Sequence, residues 1–279
     1  VNAALPSAAS GVVRGLQERA ARALPAELVE YADGWWLRHD SGSSWWVGSV
    51  LPHGPAGSPE PAGQTGTDGR AGRAGPGELA RRVARAEEFY AGHGTAARFQ
   101  ITPPACPAGL DDLLAGRGYR RSGPVSLQTA AVADVPGRRE GDRLRVRTED
   151  RPGAPWFGVW HAVHGRGAGT AAEWGLLDRV AGPSAYARVL DGDATVAVGR
   201  AVADTGWAGV FAMATLPAAR GRGAGGRVLG ALAGWAGAHG AARLYLQVER
   251  DNPAALRLYA RAGFRELCTY HYRTAVAKP

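Results

Sequence analysis

Apolar residues recur at helical spacing at Val13, Leu16 and Ala20, which predicts a helix within residues 11–30. The pattern then changes. Gly34-Trp35-Trp36-Leu37-Arg38-His39 and Trp45-Trp46-Val47-Gly48-Ser49-Val50-Leu51 flank a turn from Asp40 to Ser44, which predicts a β-hairpin with tryptophans on both faces. Residues 54–77 are half Gly and Pro and carry no hydrophobic period, so they read as a loop with Arg70 and Arg73 in solvent. A stripe of Leu79, Val83, Ala86 and Tyr90 predicts a helix from Glu78 to Gly92. A strand from Ala97 to Thr102, a short helix from Leu110 to Ala115 and a strand from Pro124 to Ala131 complete this half.

Residues 132–143 are polar and turn-rich, and they predict a boundary between domains at 1–135 and 144–279. The second half opens with a strand, Leu144 to Arg147, and two helices, Pro155 to His164 and Ala171 to Ala181. Strands follow at Tyr186 to Leu190, Ala194 to Val202 and Trp207 to Thr215. A glycine-rich turn leads into a helix running to about His239, with Val228, Leu232 and Trp235 on its buried side. A strand (Leu244 to Glu249), a helix (Pro253 to Ala262) and a strand-like run (Arg265 to Ala275) close the chain. Helices alternating with strands in this order predict an α/β fold around a mixed sheet.

Composition narrows this only slightly. A chain of 279 residues, 45% apolar with nine tryptophans, suffices for two packed domains. The net charge of +8 is almost all arginine, spread along an Ala/Gly/Arg-rich background, so it suits an anionic ligand without pointing to nucleic acid. No apolar run is long enough to span a membrane, and no basic-then-apolar leader pattern is present, although the chain opens on Val1 rather than Met. Cys106 and Cys268 have no partner at metal-ligand spacing, which leaves two free thiols in a reducing cytoplasm and no metal site.

The sharpest feature is Leu216-Pro217-Ala218-Ala219-Arg220-Gly221-Arg222-Gly223-Ala224-Gly225-Gly226, between a strand and a helix. The first turn of a helix offers unpaired N–H groups and the positive end of its dipole, and glycines let an anion approach closely. A pyrophosphate cradle follows, with Arg220 and Arg222 at its rim. No lysine completes a Walker motif, and a dinucleotide fingerprint fits Gly221, Gly223 and Gly226 only in mid-domain. A tight turn without a ligand is the other reading. In the next strand Leu244, Leu246 and Val248 face one way and Tyr245, Gln247 and Glu249 the other. Asn252 suits an N-cap, Pro253 a first helical position and Gly263 a left-handed helix end. Tyr259 fits either a core or a site.

Residues 144–276 resemble the GCN5-related N-acetyltransferase (GNAT) superfamily. The resemblance rests on Arg220-Gly221-Arg222-Gly223-Ala224-Gly225, matching Arg/Gln-x-x-Gly-x-Gly/Ala, and on Asn252, Tyr259 and Gly263-Phe264 one helix and one strand later. It implies acetyl-CoA as co-substrate, its pantetheine arm paired with the backbone of Met213, Ala214 and Thr215 and its pyrophosphate on the amides of Arg220 to Gly225. It further implies Asn252 on the cofactor arm and Tyr259 as general acid. Gln247 stands where some members carry a glutamate base. Glu249, two residues on, is the expected substitute, with His161, His164 and His271 as other candidates. The acceptor pocket would draw on Trp156, Trp174 and Tyr270, beside Trp160, Glu173 and Tyr272. The first half weakly echoes the same fold without the cofactor motif. The implied architecture is therefore two GNAT-like domains in tandem, the first degenerate, as in mycothiol synthase and related actinobacterial proteins. The implied function is acetyl transfer to a small-molecule primary amine, with no nucleic acid or membrane partner and room for a homodimer. Protein N-terminal or lysine acetylation, or a non-catalytic acyl-CoA-binding module, are the alternatives.

Overall fold

The computed structural model describes residues 7–42, 46–53, 76–137, 143–165 and 170–276. Most of the predicted loop 54–77, with Arg70 and Arg73, lies outside them, as do Ser44 and Trp45 of the predicted hairpin and residues 138–142 of the predicted boundary. The chain forms two compact units. One comprises residues 1–18, 26–124 and 268–279, and the other residues 19–25 and 125–267. This division departs from a single cut at 132–143: residues 125–131 belong with the second unit and 268–279 with the first.

The first unit carries most of α1 (Ser7–Ala23), then β1 (Leu28–Ala32), β2 (Trp35–His39), α2 (Pro76–Gly92), β3 (Arg98–Ile101), α3 (Leu110–Gly116) and β4 (Arg120–Arg121). Its last strand is the part of β11 (Arg265–Thr274) from Cys268 onward, antiparallel to β3 and β4. The hairpin differs from expectation. Trp35–His39 pairs backward with Leu28–Ala32 around Asp33 (φ 51°) and Gly34 (φ 79°), while Val50 and Leu51 make only single bridges, to Phe99 and Trp36. Two consecutive left-handed residues match the twist of a two-residue hairpin, and Asp-Gly is the pair that takes that shape most readily. The predicted stripe of α2 packs as drawn: Leu79, Val83, Ala86 and Tyr90 are buried with Trp35, Leu37 and Phe99.

The second unit contains β5 (Val125–Ala131), β6 (Leu144–Glu149), α4 (Ala154–His164), α5 (Thr170–Asp178), β7 (Ser184–Asp191), β8 (Ala194–Asp204), β9 (Trp207–Thr215), α6 (Ala224–Ala238), β10 (Arg243–Glu249) and α7 (Pro253–Arg261). Its sheet runs β5-β10-β9-β8-β7-β6, antiparallel except for β9 and β10. Val228, Leu229, Leu232 and Ala236 of α6 cover one face, against Ala187, Val189, Ala197 and Leu246. Trp156, Phe157 and Val159 of α4 cover the other, against Tyr186, Val198 and Ala214. Among the described residues no helix is long and apolar enough to cross a membrane.

One irregularity shapes this sheet. Val198 lies opposite Ala214 and Arg200 opposite Phe211, so Gly199 alone faces two residues, Ala212 and Met213. This is a β-bulge, and Ala212 takes the left-handed φ of 54° that it requires. A Cβ on Gly199 would lie 2.5 Å from Met213 Sδ and 2.6 Å from Val228 Cγ1, so no side chain fits there. Replacing Ala212 with Gly is expected to raise the unfolding free energy by about 1 kcal/mol, because glycine takes a left-handed φ without penalty. Gly199→Ala is expected to lower it by about 1–3 kcal/mol through overpacking. Urea melts of both variants check the pair.

Candidate active site

The bulge reverses the facing of β9. Before it, Ala208 and Val210 pack into the α6 core; after it, Met213 does, while Ala212 and Ala214 join the α4 cluster. A strand alternates strictly unless a residue is inserted, so this reversal follows from the bulge. The parallel ladder to β10 ends early: Trp207, Ala208 and Gly209 pair with Arg243, Leu244 and Tyr245. The later backbone of β9 keeps its β8 partners and has no ladder toward β10. A backbone edge in this state accepts an added extended chain.

Two contacts from α4 fix the irregular strand pair. The Trp156 indole, fully buried, donates to the Gly199 carbonyl at 3.1 Å. One end of the helix is thereby tied to the residue facing the bulge. At the other end His164 Nε2 lies 3.0 Å from the Met213 carbonyl oxygen, to which it donates. Trp156 is thus a buried prop whose indole contacts the protein's own backbone. Trp174 is half-buried and stacks on Phe157 with ring centroids 4.3 Å apart. Tyr270 belongs to the first unit, where it is buried with its ring 5.7 Å from Tyr272; His271 is in the same unit, 2.9 Å from Asp111. The structure therefore groups Trp156 and Trp174 but does not gather Tyr270 with them within one unit.

The glycine-rich turn begins where β9 ends. Arg220 Nε donates to the Thr215 carbonyl at 3.3 Å, and Arg222 pairs with Asp191 at 2.9 Å. Gly221 (φ 75°) and Gly223 (φ 78°) are left-handed, and Gly223 caps α6 without any side-chain hydrogen bond. The first amides of α6 therefore have neither helical partners nor a side-chain cap. Ala224 is buried, whereas Gly221, Arg222, Gly223 and Gly226 are exposed. A Cβ on Gly225 would sit 3.2 Å from Leu258 Cδ2 and 3.8 Å from Thr215 Oγ1. That tight spacing brings the end of β9, the start of α6 and the side of α7 together.

α7 brings the second motif. Asn252 caps it, its Oδ1 accepting from the Ala255 amide at 3.1 Å, and Gly263 (φ 85°) follows its end. Asn252 is exposed, so its side-chain NH2 remains available to a ligand. Tyr259 is buried, its ring 5.8 Å from Phe264, and burial pushes its phenol up to about 12. Tyr259 thus keeps its phenol proton over the whole neutral range. On β10, Leu244, Leu246 and Val248 enter the α6 core as predicted, and Tyr245 turns to Trp207 and Phe211 on the opposite face. Glu249 is the exposed last residue of that strand.

Sequence reasoning passed over the bulge, the prop beneath it and one close pair, His161 Nδ1 at 2.8 Å from Glu173 Oε2. Gly199 is the single signal that points to the bulge, since an isolated glycine inside a strand marks a bulge or a close approach.

Comparison with known proteins bears on the family and the fold. The family described as probable histone acetyltransferase Rv0428c C-terminal matches residues 10–273. The uncharacterized N-acetyltransferase YobR of Bacillus subtilis (strain 168) is 29% identical over 190 residues, covering 67% of this chain and 76% of that protein. A GCN5-related N-acetyltransferase from Kribbella flavida shares the fold with a TM-score of 0.69, at 14% identity over 96% of each chain. A tandem GNAT protein from the clavulanic acid biosynthesis pathway gives 0.63 at 16% identity, over 100% of this chain and 90% of that one. The α/β fold is thus that of tandem GNAT proteins. Trp156→Phe, which removes the buried hydrogen bond to the Gly199 carbonyl, is expected to cost about 1–3 kcal/mol of stability in a denaturant melt.

Proposed function

The chain belongs to the probable histone acetyltransferase Rv0428c C-terminal family, a GNAT-type acyltransferase family, and from that premise we propose that it moves an acetyl group from acetyl-CoA to the primary amine of a small molecule. The observation that carries the cofactor is the uncapped start of α6 beside a β9 edge that has lost its β10 partner. An acyl thioester bound there supplies an activated acyl group. The amides from Arg220 to Gly225 hold its pyrophosphate. The backbone of Met213, Ala214 and Thr215 pairs with its arm, and the Asn252 amide contacts the same arm. A backbone N–H near Thr215 faces the oxygen on which negative charge develops. The Tyr259 hydroxyl gives its proton to the departing sulfur. Water or Glu249 at the end of β10 is the base that the sequence suggests for the amine.

For the acceptor, the aromatic wall of Phe157, Trp160 and Trp174 favours an amine with an apolar body. The description of the family favours a second reading, transfer to a protein lysine. A tryptamine-type amine and a lysine peptide, offered in competition, separate the two: preferential acetylation of the peptide would replace the small-molecule reading. Cys106 and Cys268 are in no disulfide, which suits the reducing cytoplasm in which we place the reaction.

Calorimetry with acetyl-CoA tests the cofactor. Gly226→Asp is expected to weaken binding at least ~100-fold while sparing the fold, because an acid in the first turn favours a helix and repels a pyrophosphate. A Cβ there meets only Leu258 Cδ1, at 3.9 Å, so sterics do not confuse the result. Unchanged affinity in that variant would remove the cradle. Tyr259→Phe is expected to lower kcat by about 100-fold without changing acetyl-CoA affinity. With the phenol at about 12, the wild-type rate should show no alkaline loss between about pH 7 and 10 from this group.

A further inference from the structure

We infer that His161, held by Glu173, is the group that takes the proton from the attacking amine. The inference rests on the acyl-transfer reading above. Three contacts fix the imidazole. Glu173 projects from α5 with its side chain only 4% exposed, and its Oε2 lies 2.8 Å from His161 Nδ1. A buried carboxylate there accepts the Nδ1 proton and leaves the Nε2 lone pair on the outer side of the ring. Phe157 stacks on the same ring, with centroids 5.7 Å apart and planes within 14°. The third contact is with Gly165. A Cβ there would lie 2.5 Å from the His161 carbonyl oxygen, 2.6 Å from its Nδ1 and 2.7 Å from Cε1, so the backbone and the imidazole together fill the space a side chain would need. The ring is nonetheless 37% exposed, so Nε2 remains accessible.

Its position follows from α4. Trp156 reaches the Gly199 carbonyl and His164 the Met213 carbonyl, so the helix is tied at both ends to the bulged strand pair. His161 is one turn before His164, about 5 Å along the axis and on the same side of the helix. Glu173 is the charged group facing it from α5, and His164 is the titratable neighbour on its own helix. The alternatives are placed less well. Gln247 cannot accept a proton as a base, Glu249 is exposed at the strand end, and Tyr259 is a donor.

The step balances. The amine nitrogen forms its bond to the acyl carbon as the carbon–sulfur bond breaks. Nε2 of His161 takes the nitrogen's proton, and the sulfur leaves with the proton of Tyr259. Glu173 offsets the positive charge that the imidazole acquires.

The test uses the full chain at saturating acetyl-CoA, with phenethylamine as acceptor, reading thiol release into amine and water together. His161→Gln should lower kcat about 100-fold. Its acetyl-CoA affinity, measured by calorimetry, should stay within about twofold of wild type, because the residue is absent from the pyrophosphate cradle. His161→Ala should be as slow and regain activity several-fold with added imidazole. Glu173→Gln should lower kcat while leaving acetyl-CoA affinity within about twofold of wild type, since the imidazole loses the carboxylate that orients it. A wild-type rate in His161→Gln, or a wild-type kcat in Glu173→Gln, overturns the assignment while acetyl-CoA binding still stands. No acetyl-CoA binding by the wild type overturns the acyl-transfer reading, and the base with it.

Discussion

The hydrogen bond from the Trp156 indole to the Gly199 carbonyl secures the point on which the second unit turns. A bulge leaves one carbonyl or amide short of its ladder partner, and a buried polar group without a partner is costly. Here the indole meets that need from inside the α4 core, where water has no access. With the irregular pair satisfied, β9 can change facing between Val210 and Met213 without loosening either core. The ladder to β10 ends at Gly209, just before that change of facing, so the open backbone edge and the bulge lie side by side on β9.

The two faces of that sheet do different work. The α6 face is aliphatic and close-packed, and its tightness bears on where the glycine-rich turn runs: Gly225 sits between Thr215 and Leu258, and a Cβ there would press on Leu258 Cδ2 at 3.2 Å. The α4 face is aromatic and partly open, with Trp160, Trp174 and His161 each in ring contact with Phe157. Anion recognition by backbone amides needs a rigid frame, because the donors have no conformational freedom of their own to spare. Recognition of a varied amine needs accessible rings instead. One strand, β9, borders both regions.

Much of this was legible from residue order. Asn252 and Gly263 mark the two ends of α7 through capping chemistry, and both fall where that chemistry requires. The spacing of Val228, Leu232 and Trp235 drew the buried side of α6 correctly. What escaped were features whose cause lies elsewhere in the chain. Ala212 carries a left-handed φ that nothing about alanine announces, because the surrounding strands impose it. The Asp33-Gly34 hairpin lost out to a longer polar turn downstream, although its two residues were the stronger signal. His161 and Glu173 stand twelve positions apart on separate helices, so only packing brings them together. The exchange of residues 125–131 and 268–279 between units was hidden for a related reason. A half-buried strand records that it has a partner, not which one.

That exchange bears on how the chain matures. During synthesis the N-terminal half emerges first, yet β3 waits for residues from Cys268 onward before it gains its antiparallel neighbour. Segments usually fold in the order they are made, and an unpaired strand invites wrong partners in the interval. The first unit is therefore finished last, after every residue of the second has left the ribosome.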